Sequence, residues 1–139
     1  MIYGVKEEGR RFMPKTIKDL TQDEIEKYWE ALRKREDREK EFLKERFKDA
    51  WSIAIKASEI LYKKYQAKEV IVFGSLTDFS RFNRWSDIDI AVSGIPSDLY
   101  LKAVAEVISL SPDFKIDLLD IEDCKEFLRE IIKKEGIKV

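Results

Sequence analysis

The sequence predicts an α/β (α+β) domain, a small mixed β-sheet of three or more strands packed with helices, preceded by an N-terminal helical arm. Three observations predict it. From Thr21 to Phe73 there is neither glycine nor proline, so helix meets no breaker. Three short runs, Glu69–Phe73, Asp87–Val92 and Lys115–Leu119, are rich in β-formers and bounded by turn signals. Helix-period segments alternate with them, an order that packs helices on a sheet.

Each element has its own signal. Residues 1–20 hold Gly4, Gly9 and Pro14 without periodicity and are expected as a mobile basic segment (Arg10, Arg11, Lys15, Lys18). Thr21 and Glu24 form a capping-box pattern, in which each side chain bonds the other's backbone N–H. Ile25, Tyr28, Trp29 and Leu32 follow at i, i+3, i+4 and i+7, one helical stripe. Arg33–Glu41 is an unbroken charge run, RKREDREKE, whose opposite signs at i+3 and i+4 support a solvated helical connector. Residues 21–41 are thus a charged helical arm, and residues 42–139 the folded domain. Phe42–Tyr65 is amphipathic and nearly apolar all round at its centre, so it is a core helix. Residues 76–86 are polar and loop-like. Ser97 is placed to cap a helix reaching Leu110, Glu122–Lys134 reads as a last helix, and Gly136 ends it.

Composition removes several chemistries. There is no histidine, which excludes Ser-His-Asp triads, Cys-His dyads and His-ligated zinc. The one cysteine, Cys124, excludes an internal disulfide and a cysteine metal cluster. Acid–base work falls to carboxylates, Lys or Tyr, and any metal must be hard and oxygen-ligated. Lys plus Arg number 27 against 28 Asp plus Glu, so nothing in the net charge drives binding to nucleic acid or an acidic membrane. No apolar run approaches a membrane span and no signal-peptide pattern is present, so a cytoplasmic location is expected. Residues 67–139 carry 10 basic and 14 acidic side chains, the sign a cation site requires.

Asp87 and Asp89 lie two apart on a predicted strand and share a face with Ala91, while Ile88, Ile90 and Val92 face the other way. Two close carboxylates must meet water or a cation, because desolvation is costly for each. Asp117 sits mid-strand on a later run with Ile116 and Leu118 opposite; Asp120 has the wrong parity. If the two strands are neighbours, three carboxylates converge with no Lys or Arg fixed nearby in sequence. That set suits a magnesium pair clamping the attacking and leaving oxygens of a phosphoryl displacement. Gly74-Ser75 ends the first strand, where glycine permits close backbone approach and turn amides can bind phosphate oxygens.

Taken together, VIVFGS, eleven residues, DIDIAVSG and then KIDLLDIED resemble the minimal nucleotidyltransferases of the DNA polymerase β superfamily. The resemblance covers roughly residues 45–139 and implies the nucleotidyltransferase fold. It implies that Asp87 and Asp89 ligate two Mg2+ (or Mn2+) ions, that Asp117 completes one site and helps activate the attacking hydroxyl, and that Gly74 and Ser75 hold the triphosphate. The implied reaction moves AMP from ATP, or another nucleoside monophosphate from its triphosphate, onto a hydroxyl. Small members act as antitoxins of HEPN-type toxins, modifying a toxin tyrosine or simply binding the toxin. The stretch Leu76–Arg81 departs from the family pattern: it lacks the usual glycine, and Asp78 adds a negative charge. That departure keeps open a module of the same fold that neutralises a partner by contact alone. Arg81 and Arg84 are candidate phosphate or partner contacts. Phe82 and Trp85 either stack on a base or pack the loop down. Trp51 reads as core or interface, and Cys124, at a helix start, as structural. The Tyr28–Trp29 stripe calls for a partner or a second copy, hence a homo-oligomer through the arm. Nucleic acid is the least expected partner.

Overall fold

The computed structural model describes residues 17–139, and Arg10, Arg11 and Lys15 of the expected basic segment lie outside them. The chain divides into two compact units, Met1–Lys40 and Glu41–Val139. Helix α1 is Gln22–Tyr65, β1 Glu69–Phe73, β2 Ile88–Ser93, α2 Ser97–Ile108, β3 Ile116–Asp120, α3 Glu126–Glu135 and β4 Ile137–Lys138.

In the first unit, a 3-10 turn over Ile17–Asp19 precedes the helix. The capping box closes as its residues spell: the Thr21 amide donates to Glu24 Oε1 at 3.0 Å, and the Glu24 amide to Thr21 Oγ1 at 3.2 Å. Tyr28 and Trp29 are exposed, with Ile25 and Leu32 half-buried beside them.

In the second unit the sheet order is β3-β2-β1-β4. β1 pairs antiparallel with β2 and with β4, whereas β2 and β3 are parallel, joined through α2. Strand alternation gives two faces. Val70, Val72, Ile88, Ile90, Val92 and Ile116 pack against the end of α1 and against α2. Ala50, Ala54 and Ala57 of α1 are fully buried there; their small side chains let helix and sheet approach closely. On the opposite face Ile71, Ala91, Ile121 and Ile132 cluster with Phe73, Leu119 and Leu128. Tyr62 ties α1 to the sheet, accepting from the Val70 amide at 3.0 Å and donating to the Val139 carbonyl at 2.6 Å.

Two helix starts differ from expectation. Ser97 is the first residue of α2 and Pro96 its N-cap, with no side-chain cap bond. The last helix starts at Glu126, because Asp120 Oδ1 accepts from the Glu122 amide and closes a 3-10 turn over Ile121–Asp123. Arg129 holds that turn through the carbonyls of Ile121, Glu122 and Cys124. Cys124 therefore lies between turn and helix, its Sγ donating to the Ile121 carbonyl at 3.2 Å. Strand β4, which no periodicity announced, pairs with Ile71 and Val72.

Candidate functional site

The site forms where β1 ends beside β2. Phe73 pairs with Asp89, so the next residue, Gly74, turns off the sheet next to the Asp89 carboxylate. Gly74 has φ +75°, and a Cβ there would lie 2.4 Å from Asp89 Oδ2. Only glycine accepts both the left-handed backbone and the close carboxylate.

Asp89 and Asp117 are register partners on the parallel pair β2–β3, and Ile90 and Leu118 follow them on the apolar face. Parity thus puts both carboxylates on the face of Ala91 and Leu119. Asp87 precedes β2 and is half-buried; Asp117 is exposed. Burial, then repulsion from Asp117 and from Asp87, push the Asp89 carboxyl up from 3.8 to about 6, with Lys115 acting the other way. Lys115 Nζ stands 3.8 Å from Asp117 Oδ1. Sequence reasoning overlooked this cation, although the i, i+2 spacing to Asp117 announces it. Asp120 faces away, as parity requires, capping the turn over Ile121–Asp123 and adding its charge to the surroundings of Tyr100.

The loop from Gly74 to Asp87 is two 3-10 turns, Gly74–Thr77 and Phe79–Arg81, rather than unstructured chain. Leu76 and Phe82 are buried under it, and Phe82 meets Phe47 edge-on at 5.1 Å. The Trp51 indole N–H donates to the Leu76 carbonyl at 3.0 Å, pinning the first turn to α1 from 25 residues away. Thr77 Oγ1 and Arg81 Nη2 both donate to the Gly74 carbonyl, at 2.7 and 3.4 Å. Asp78 accepts from the Ser80 amide and hydroxyl, at 3.0 and 2.7 Å, and lies 3.7 Å from Arg81 Nε. The Ser80 bonds, with Arg81, hold its carboxyl below the usual range. The loop charges therefore engage one another. Arg84 lies 5.1 Å over the Phe42 ring. Packing claims Phe82, whereas Trp85 is 81% exposed.

Asp89 and Asp117 fit a hard divalent cation: they are oxygen donors, adjacent, and repel in a way that a positive ion relieves. Asp87 acts on Asp89 more weakly than Asp117 does. Among the described residues no three such side chains are gathered into a metal-holding group. The structure thus joins the pair and leaves Asp87 beside it. Nor is any helix among the described residues long and apolar enough to cross a membrane.

Residues 55–139 match the family model described as polymerase beta, nucleotidyltransferase. No curated protein matches the chain. Among solved structures, it is similar to a mutant of the MntA-HpeT toxin-antitoxin carrying two aspartate-to-glutamate changes, at 20% identity over 61% of this chain and 70% of that one, TM-score 0.49. A toxin-antitoxin structure with AMP-PNP is similar at 22% identity, over 63% of this chain and 69% of that one, TM-score 0.48.

Proposed function

The chain belongs to the polymerase beta nucleotidyltransferase family, and on that premise we propose that it transfers a nucleoside monophosphate, AMP from ATP, onto a hydroxyl. The observation that carries this reading is Asp89, set against Gly74 on one side and Asp117 on the other. It joins a backbone turn suited to phosphate with carboxylates suited to a cation.

The roles follow from the chemistry. Gly74 and Ser75 border the triphosphate. Asp89 and Asp117, with Asp87 beside them, would hold magnesium or manganese, which when bound would supply positive charge to the phosphate oxygens. The acceptor oxygen bonds to the α-phosphorus, the bond from that phosphorus to the bridging oxygen breaks, and pyrophosphate leaves. Asp117, the exposed member, takes the hydroxyl proton. Burial and the neighbouring carboxylates push the Asp89 carboxyl up to about 6, so a proton competes with the cation for it as pH falls into that range.

The acceptor that the sequence pattern favours is a tyrosine of a HEPN-type toxin, which makes this chain an antitoxin acting in the cytoplasm. One observation favours a second reading. Arg81 is spent on the Gly74 carbonyl, Thr77 and Asp78 inside its own loop. A module that neutralises its partner by contact has no need of that cation on a phosphate.

Incubation with ATP labelled at the α-phosphate, magnesium and a HEPN-type toxin tests the proposal. The toxin gains label, and Asp87→Asn with Asp89→Asn abolishes the gain while the protein stays folded. Neutralisation of the toxin without label, by wild type and double variant alike, establishes the contact reading instead.

A further inference from the structure

Helix α3 presents different chemistry on either side of its buried pair. Phe127, Leu128, Ile131 and Ile132 are its apolar residues, and all the others are charged. Leu128 and Ile132 face the sheet, in one cluster with Ala91, Leu119 and Phe73. At about 100° per residue, Arg129 and Lys133 fall on one side of that pair, and Phe127 and Ile131 on the other. Arg129 and Lys133 line a cleft with Glu69, Ser93, Ile121 and Glu122. Glu69 and Ser93 are register partners at the end of the β1–β2 pair remote from Phe73 and Asp89. The opposite flank of α3 therefore looks back along the strands toward Asp89 and Asp117. Ala91 and Leu119, beneath the helix, lie two residues beyond those aspartates on the same face, about 7 Å along the strands. Phe127 and Ile131 remain in water, 62% and 45% exposed. They form an apolar wall beside the carboxylates, across a gap that a ribose spans.

What meets this wall follows from the transfer reaction proposed above, on which the inference rests. Displacement at the α-phosphorus is in line. Pyrophosphate leaves toward Gly74 at the end of β1, so the acceptor arrives from the β3 side, where Asp117 stands. The nucleoside hangs from the same phosphorus to one side of that line, and α3 occupies such a side. Two apolar side chains there do nothing for a phosphate or a cation, but an aromatic ring and its aliphatic neighbour suit the face of a base. We infer that Phe127 and Ile131 bind the nucleobase, with Phe127 stacking on it and Ile131 packing beside it.

Titrating the full chain with ATP and with inorganic triphosphate, both in magnesium, tests it. Phe127→Ala weakens ATP by about tenfold and leaves triphosphate, which has no base, within about twofold. Phe127→Tyr, which keeps a stacking ring, holds ATP to within about threefold of wild type. Phe127 stands mostly in water, so the urea midpoint of either variant stays at the wild-type value. ATP affinity unchanged in Phe127→Ala overturns the inference and leaves the nucleotide reading in place; a raised KM for the acceptor in that variant would then assign the wall to the acceptor. An equal loss for ATP and triphosphate, or a loss in Phe127→Tyr as large as in Phe127→Ala, also overturns it. A wild type that binds neither ligand overturns the nucleotide reading and the inference together.

Discussion

Burial and two neighbouring carboxylates hold the Asp89 proton to about pH 6, and this has a consequence for stability. A carboxyl raised in the fold is neutral in both states at low pH, so it costs nothing there. As pH rises from the ordinary 3.8 through about 6, the unfolded chain ionises first and the fold loses stability. Asp89→Asn removes that loss. In chelator, the variant should be about 1–3 kcal/mol more stable than wild type near pH 8, and equal to it near pH 4 or below, by urea unfolding. Equal stability at both pH values would mean that Asp89 is better solvated than its neighbours allow. Parity made it legible which face each aspartate takes, because strand geometry leaves a side chain only two directions, but that Asp89 and Asp117 share a place depends on β2 and β3 being neighbours, which the sequence left as a condition. The Lys115 contact was missed although its i, i+2 spacing to Asp117 was readable, whereas the Asp78–Ser80–Arg81 cluster was missed because a loop of two short turns has no period from which to infer partners. The Trp51 bond to Leu76 joins residues with no local relation, and only the packed fold brings them together.

Elements were legible where period and punctuation agree. The capping box at Thr21, the first strand and the α1 stripe all fall where the residues place them. Strand β4 was not legible. Ile137–Lys138 is two residues long, too short to alternate, and it is a strand only because β1 offers an open edge. Lys138 Nζ meets Glu69 Oε2 across that edge at 2.8 Å. Gly136 is the joint between α3 and β4. Its backbone is ordinary, φ −72°, yet a Cβ would lie 2.3 Å from Ile71 Cγ2 and 2.4 Å from the Ile132 carbonyl oxygen. Close approach therefore selects glycine here, not a left-handed helix end. Gly136→Ala should destabilise the protein by about 2–4 kcal/mol, since neither neighbour is a mobile side-chain end. A change within about 0.5 kcal/mol would show that the C-terminus shifts freely on the sheet.

For the molecule as a whole, we assign the nucleotide chemistry to residues 42–139 and treat 1–20 and 21–41 as appended segments. The buried clusters of the sheet draw on residues from Ala50 onward. A chain starting at residue 42 should unfold cooperatively in urea and keep its α/β circular dichroism; a molten product would assign the arm to the core. The central claim, however, is that Gly74, Asp89 and Asp117 border a working nucleotide site. Calorimetric titration of ATP tests it most directly, run with magnesium and with chelator on wild type and on Asp89→Asn. The account predicts binding that requires magnesium and disappears in the variant. No binding by the wild type under any condition, or binding that Asp89→Asn leaves intact, would contradict it.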